Sequence, residues 1–146
     1  MLRTLTFVTT LIVGNLLASS VMANNEDYSY VSYQNQDQFI RQKMREHIGY
    51  DPLLEVIAGC ESTGDPKRIK HWDRNGNLVK NPNSSASGSL QVLLQYHSDW
   101  IDAEGRDMQD IDEYMMFVKT LFEAQGYEAW YPSKSCWGKY AYLATS

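Results

Sequence analysis

The chain has 146 residues, with 13 Lys and Arg against 18 Asp and Glu and a formal net charge of −5. This length fits one ordinary domain with a single hydrophobic core. A mildly acidic chain without a run of basic residues is poorly suited to nucleic acid or to an anionic membrane surface, so neither is expected as a partner.

The N-terminus has the pattern of an export signal. A short basic start, Met1 to Arg3, precedes a mostly apolar run from Leu5 to Leu17, and Ala23 ends a stretch suited to signal peptidase. The apolar run is shorter than the roughly 20 residues that span a membrane. The pattern predicts a signal peptide over 1–23, a periplasmic or extracellular location and no stable membrane insertion.

The mature chain opens with a polar stretch over 24–37, which is interpreted as a flexible lead-in to one domain over 38–146. A helix is predicted from about Gln36 to His47, with an apolar side made by Phe39, Ile40 and Met44.

The next helix carries the residue of greatest interest, Glu61. Asp51 is a good N-cap and Pro52 a good first helical residue. Apolar residues then recur at helical spacing, at Leu53, Leu54, Ile57 and Ala58. Glu61 therefore falls near the C-terminal end, where the helix dipole and burial would both raise its pKa, as a general acid near neutral pH requires. On this stretch alone, a surface glutamate in a last helical turn explains the pattern equally well.

The remaining elements follow in order. Asn75-Gly76 predicts a tight hairpin within 70–80, and a small polar loop then leads into an apolar segment ending at Val92. Helices are predicted from Tyr96 to Ala103 and from Asp110 to Gln125, the second ended by Gly126.

The chain has two cysteines, Cys60 and Cys136. An even number in an exported chain predicts one disulfide, which would close a loop of 76 residues. This bridge would tie the C-terminal region to the residue just before Glu61 and so brace the helix that carries it.

Three segments carry a resemblance to a known family. They are Cys60-Glu61-Ser62, then Ser87-Gly88-Ser89-Leu90-Gln91, then Trp130 to Trp137. Their order, the hairpin between the first two and the export signal make the chain resemble the lysozyme-like superfamily, and within it the soluble lytic transglycosylase (SLT) group, over about 52–137. In that family a Glu-Ser pair ends a helix and a Gly-x-x-Gln segment lines the cleft. The chain departs from the usual pattern at Thr63 and Ser89, and it lacks the family's Tyr-Asn-Ala-Gly segment.

The resemblance implies a mainly α (α+β) lysozyme-like fold with a small β-hairpin beside the cleft. It also implies a glycosidase-type enzyme that cleaves the β-1,4 bond between N-acetylmuramic acid and N-acetylglucosamine in the glycan strands of cell-wall peptidoglycan. The chain is separately expected to be a monomer. Glu61 would be the general acid and then the base, and no cofactor is implied. No metal is expected either, since His71 and His97 have no third ligand spaced for zinc.

The same resemblance suggests a set of substrate-binding residues: Ser62, Ser87, Gly88, Gln91, Tyr96, Tyr127 and Trp130. Plainer roles remain open for each of them, namely backbone hydrogen bonds, a turn, or core packing. Tyr127 and Tyr131 are both candidates for assisting the glutamate. Asp73 is the candidate second carboxylate, although capping the Asn75-Gly76 turn is its more direct interpretation.

Two alternative functions stay open. One is a lysozyme-type hydrolase that uses Asp73 as its second carboxylate. The other is a secreted glycan-binding module on the same fold, in which Glu61 is structural. The reaction products distinguish the three: anhydro-muropeptides indicate a transglycosylase, reducing ends indicate a hydrolase, and absence of products indicates a binding module.

Overall fold

The computed structural model describes residues 36–144. The predicted signal peptide and residues 24–35 of the predicted lead-in lie outside the described residues. Within the described part the chain is mainly helical, which confirms the predicted mainly α class. No helix of this part is long and apolar enough to cross a membrane. The α-helices are α1 (Gln36–His47), α2 (Pro52–Thr63), α3 (Ser98–Ala103), α4 (Ile111–Gln125) and α5 (Lys134–Trp137), with 3₁₀ segments at Leu94–His97, Gly126–Ser133 and Gly138–Leu143.

Helix α1 follows its predicted bounds and packs on α4. Its buried face is formed by Gln36, Ile40 and Met44. Lys43 Nζ binds both carboxylate oxygens of Asp112 on α4, at 2.9 and 3.0 Å, and His47 Nε2 lies 2.6 Å from the same carboxylate. Because helix α1 begins at Gln36, the last two residues of the predicted lead-in are already helical.

Helix α2 is buried along most of its length and packs against α5 and the 3₁₀ segments Gly126–Ser133 and Gly138–Leu143. Asp51 Oδ1 accepts the backbone N–H of Leu54 at 2.9 Å, which is the predicted N-cap, and Gly64 ends the helix in the left-handed conformation. Gly59 lies against the following loop, because a Cβ there would be 2.6 Å from the Asp65 carbonyl oxygen. The backbone of the loop that follows α2 therefore packs directly on the last turns of the helix, where Glu61 lies.

The segment predicted as a hairpin reverses direction, but the described residues form no regular strand there. The two sides meet at one isolated antiparallel bridge between Trp72 and Leu78. The turn is not the predicted two-residue type: the Asp73 N–H donates to the Asn77 carbonyl at 2.7 Å, and Gly76 has φ +79° as the last of three loop residues. The apolar residues on each side are too few to extend this bridge into a ladder.

The C-terminal segments pack around α2. The predicted disulfide is present: Cys60 and Cys136 are bonded, with 5.9 Å between their Cα atoms. Trp130 and Trp137 are both buried in the same core as the apolar face of α2. The bridge and the two indoles therefore hold the 130–137 segment against the end of α2 that carries Glu61.

Candidate active site

Glu61 lies in the last turn of α2 and lines a cavity of about 400 Å³. It is half-buried. The other described lining residues come from the 81–93 loops, the 3₁₀ segment Leu94–His97, α4 and the 126–133 segment: Asn81, Ser84, Ala86, Gln91, Val92, Leu93, His97, Leu121, Gln125, Ala129, Trp130 and Pro132. Apolar side chains and amides dominate this lining, and none of these described residues is Lys or Arg.

The pKa of Glu61 is raised, chiefly because burial disfavours its charged form. A hydrogen bond with Ser133 opposes this effect by favouring the carboxylate, and burial is the larger of the two. A carboxyl whose pKa lies above its usual value keeps its proton nearer to neutral pH. Glu61 is thus suited to donating a proton to a bound ligand.

Ser133 is a site residue that sequence reasoning missed. Its Oγ accepts from Trp137 Nε1 at 3.1 Å and lies 3.0 Å from the Trp130 carbonyl oxygen, so its single hydrogen can be donated either to that carbonyl or to Glu61. These bonds fix the hydroxyl in the 3₁₀ segment opposite Glu61. The signal that could have found it was the predicted disulfide, because a bridge from Cys60 to Cys136 brings the residues just before Cys136 close to Glu61.

The turn over 87–92 forms one wall of this cavity, and a buried tyrosine fixes it. The Tyr114 hydroxyl donates to the Ser87 carbonyl at 2.9 Å and accepts the Leu90 N–H at 3.2 Å. Gly88 has φ +80°, and a Cβ there would lie 2.6 Å from the Tyr114 ring. Trp130 Nε1 donates to the Leu90 carbonyl at 2.8 Å, so the turn is held from two sides.

Gln91 combines a strained backbone with an unsatisfied side-chain oxygen. It is 9% exposed and has φ +48°, the one positive φ of a non-glycine residue in the described chain. Its Nε2 donates to the Gly88 and Val79 carbonyls at 2.8 and 3.2 Å, while its buried Oε1 has no partner. Strained residues and unsatisfied buried acceptors are concentrated at functional sites. Gln91 also lines the cavity that holds Glu61.

His71 packs beneath the same turn and stabilises it. It is fully buried, and its Nδ1 accepts the Ser89 N–H at 3.1 Å. Its ring meets the Tyr114 ring edge-on, with 4.5 Å between centroids. Burial lowers the pKa of His71 to about 3, so its ring is neutral at ordinary pH.

A second, more open cavity of about 950 Å³ adjoins the first. At several points one residue lines the first cavity and its neighbour in the chain lines the second. Glu61 and Ala86 line the first cavity, and Ser62 and Ser87 line the second. Ser62 Oγ donates to the Ala58 carbonyl at 2.7 Å and accepts the Lys70 N–H at 3.0 Å. The described residues lining this cavity are Ser62, Lys70, Asp73, Arg74, Asn75, Asn77, Leu78, Val79, Lys80, Ser87, Leu94 and Gln109.

Asp73 belongs to this second cavity and is absent from the described lining of the cavity that holds Glu61. Its Oδ1 accepts the backbone N–H groups of Asn75 and Asn77 at 2.8 and 3.0 Å. These bonds are those of a side chain that caps its own turn. They favour the turn-capping interpretation over a second catalytic carboxylate.

The aromatic residues predicted to bind substrate or to assist Glu61 lie in different parts of the structure. Trp130 is buried and lines the cavity that holds Glu61. Tyr96 is 73% exposed and is not among the described residues lining either cavity. The Tyr127 hydroxyl donates to Asp51 Oδ2 at 2.6 Å, at the opposite end of α2 from Glu61, so this tyrosine is placed to hold the N-cap. Tyr131 lies against Lys134, whose Nζ is 4.7 Å from its ring centroid.

One group of possible metal ligands occurs among the described residues, outside both cavities: Glu46, His47 and Asp112. Lys43 Nζ already binds both oxygens of Asp112. This arrangement is a salt-bridge network between α1 and α4, in which an ammonium group neutralises the carboxylate.

The chain matches none of the protein-family models and none of the solved structures with which it was compared. Its function must therefore be inferred from the residues and their geometry.

Proposed function

We propose that this protein is an exported, monomeric, lysozyme-like enzyme that cleaves peptidoglycan as a lytic transglycosylase. The bond cleaved is the β-1,4 linkage between N-acetylmuramic acid and N-acetylglucosamine. The observation that carries the proposal is the cavity that holds Glu61, whose raised pKa suits an acid, beside the unpartnered Oε1 of Gln91. The order of the Glu-Ser pair, the turn and the Gly-x-x-Gln segment supports it further.

Cleavage of a glycosidic bond needs a proton on the leaving oxygen and support for positive charge at the anomeric carbon. Glu61 donates the proton as the C–O bond breaks. The carbonyl oxygen of the sugar's own N-acetyl group attacks the anomeric carbon and stabilises the charge. The Glu61 carboxylate then takes the proton from the 6-hydroxyl, whose oxygen displaces the acetyl oxygen and closes a 1,6-anhydro ring. One carboxyl group is sufficient for both steps.

The surroundings of Glu61 fit the needs of an acetamido sugar. Gln91 Oε1 would accept the acetamide N–H, which would satisfy an oxygen that is otherwise buried without a partner. Gly88 allows the backbone of the turn to approach the Tyr114 ring closely, and Tyr114 and Trp130 keep that backbone in place. The bonds that Asp73 makes to its own turn favour the single-carboxylate route over the two-carboxylate hydrolase.

The test is Glu61→Gln, which keeps the shape of the side chain and removes the transferable proton. General acid–base catalysis contributes about 10²- to 10⁴-fold, so clearing of purified cell walls should slow by at least about 10²-fold. The exposed Glu128→Gln is the matched control and should clear walls like the parent. Binding to the same walls should persist in both variants, as measured by pull-down.

Products and pH complete the test. Mass spectrometry of the released fragments should find anhydro-muropeptides; reducing ends would instead establish a hydrolase. The parent rate should fall as pH rises through the raised pKa of Glu61, because the acid form is lost there. Clearing by Glu61→Gln at the parent rate would refute the mechanism. Binding without any release of products by the parent would establish the glycan-binding module.

A further inference from the structure

The larger cavity has a charge opposite to that of the chain as a whole. Lys70, Arg74 and Lys80 line it, and Asp73 is the one acidic residue among its described lining. The full chain has a formal net charge of −5. Cations gathered in a concave surface raise the local concentration of anionic ligands. The cavity that holds Glu61 differs, because its described lining contains no Lys or Arg.

The backbone places these cations beside the candidate catalytic centre. Lys70 is tied to the end of α2, since its N–H donates to Ser62 Oγ, one residue after Glu61. Lys80 forms an isolated bridge with Ser87, at the start of the turn that carries Gln91. Arg74 is exposed in the turn that Asp73 caps. A strand bound across Glu61 would thus have its substituents within reach of the basic cavity.

We propose that this larger cavity binds the carboxylates of the peptide stems that peptidoglycan carries, so that the enzyme favours peptide-bearing strands. The proposal rests on the proposed function. Each N-acetylmuramic acid bears a lactyl group, and the stem attached to it supplies free carboxylates along an otherwise neutral glycan. Lys and Arg are the side chains that bind carboxylates.

The rest of the lining favours a peptide over a phosphate polymer. Asn75, Asn77 and Gln109 offer amide donors and acceptors that match peptide groups, and Leu78 and Leu94 offer apolar surface for alanine methyl groups. A phosphate polymer would use the cations and leave these groups without a role. The mixture of charge, amides and apolar surface therefore points to short peptides with free carboxylates.

Binding is measured by calorimetry in a Glu61→Gln background, so that no ligand is consumed. The probes are a tetrasaccharide fragment with its stems and the same fragment with its carboxylates converted to amides. Arg74→Gln with Lys80→Gln should weaken binding of the native fragment roughly 5-fold, the order expected of two exposed ion pairs, and should leave the amidated fragment unaffected. The native fragment should also lose affinity as salt rises.

Lys119→Gln with Lys139→Gln is the matched control, because it removes two exposed cations absent from the described lining of either cavity. It should bind both fragments like the parent. Equal affinity for the native and amidated fragments would overturn the proposal, as would tighter binding of poly(glycerol phosphate) than of the native fragment. These outcomes are separate from a failure of the proposed function, which is decided by the products released by the enzyme with Glu61 intact.

Discussion

Gly88→Ala tests whether the turn beside Glu61 is held in place by Tyr114. At this position φ is +80°, and an added Cβ would lie 2.6 Å from Cε2 and Cζ of Tyr114 and 2.7 Å from its hydroxyl oxygen. Tyr114 is fully buried, and its hydroxyl is bonded to the backbone at Ser87 and Leu90. The ring therefore has no open space into which it can move.

Two costs combine in this variant. The left-handed conformation costs a residue with a Cβ roughly 1–2 kcal/mol, and overpacking a well-filled core costs typically 1–3 kcal/mol. The free energy of unfolding should thus fall by about 2–5 kcal/mol in Gly88→Ala. Movement of the Tyr114 ring would also disturb the Ser87 and Leu90 contacts, so wall clearing should slow at temperatures where the variant is still folded.

Gly105→Ala is the matched control. Its φ is +64°, and a Cβ there would meet nothing within 4 Å. It should incur the backbone cost alone, about 1–2 kcal/mol, with no effect on wall clearing. Urea unfolding followed by tryptophan fluorescence measures both variants. An equal loss of stability in the two would refute the reasoning, because it would mean that the Tyr114 contact adds nothing.

Three further predictions follow from the same geometry. Replacing Cys60 and Cys136 with serine should lower the free energy of unfolding by about 4–5 kcal/mol on the chain-entropy model, measured by urea unfolding; a loss below about 1 kcal/mol would show that the bridge does not brace the fold. Because the pKa of His71 is about 3 in the folded chain and 6.5 for an ordinary histidine, the unfolded chain binds a proton that the folded chain does not between these values. Stability should therefore be complete above pH 6.5 and decline as the pH falls towards 3. His71→Gln should lower stability at neutral pH and remove that dependence on pH, whereas His97→Gln should keep it. Asp73→Asn should keep most of the wall-clearing activity, since the asparagine oxygen can still accept the two turn N–H groups; a loss as deep as that of Glu61→Gln would favour the two-carboxylate hydrolase.

The sequence by itself determined the bounds of the three longer helices α1, α2 and α4 and the covalent bridge, but not the hairpin or the start of α3, which was predicted at Tyr96 and lies at Ser98. Helix α2 has its cap at Asp51 and its end at Gly64, and α4 begins after the Asp110 cap and ends before Gly126. These boundaries depend on residues within one turn of the helix end, which is why they can be read locally. The pairing of Cys60 with Cys136 followed from their being the two cysteines of a chain predicted to be exported.

The tertiary structure alone decided which polar and aromatic side chains meet. Tyr127 bonds Asp51, 76 residues away, and Trp130 bonds the Leu90 carbonyl, 40 residues away, so their roles at the helix cap and at the turn are invisible to any local pattern. The unpartnered Oε1 of Gln91 likewise depends on a turn held by Tyr114, 27 residues from the Ser87 carbonyl that it bonds. Burial and hydrogen-bond satisfaction are properties of the assembled core, whereas caps and helical periodicity are properties of neighbouring residues.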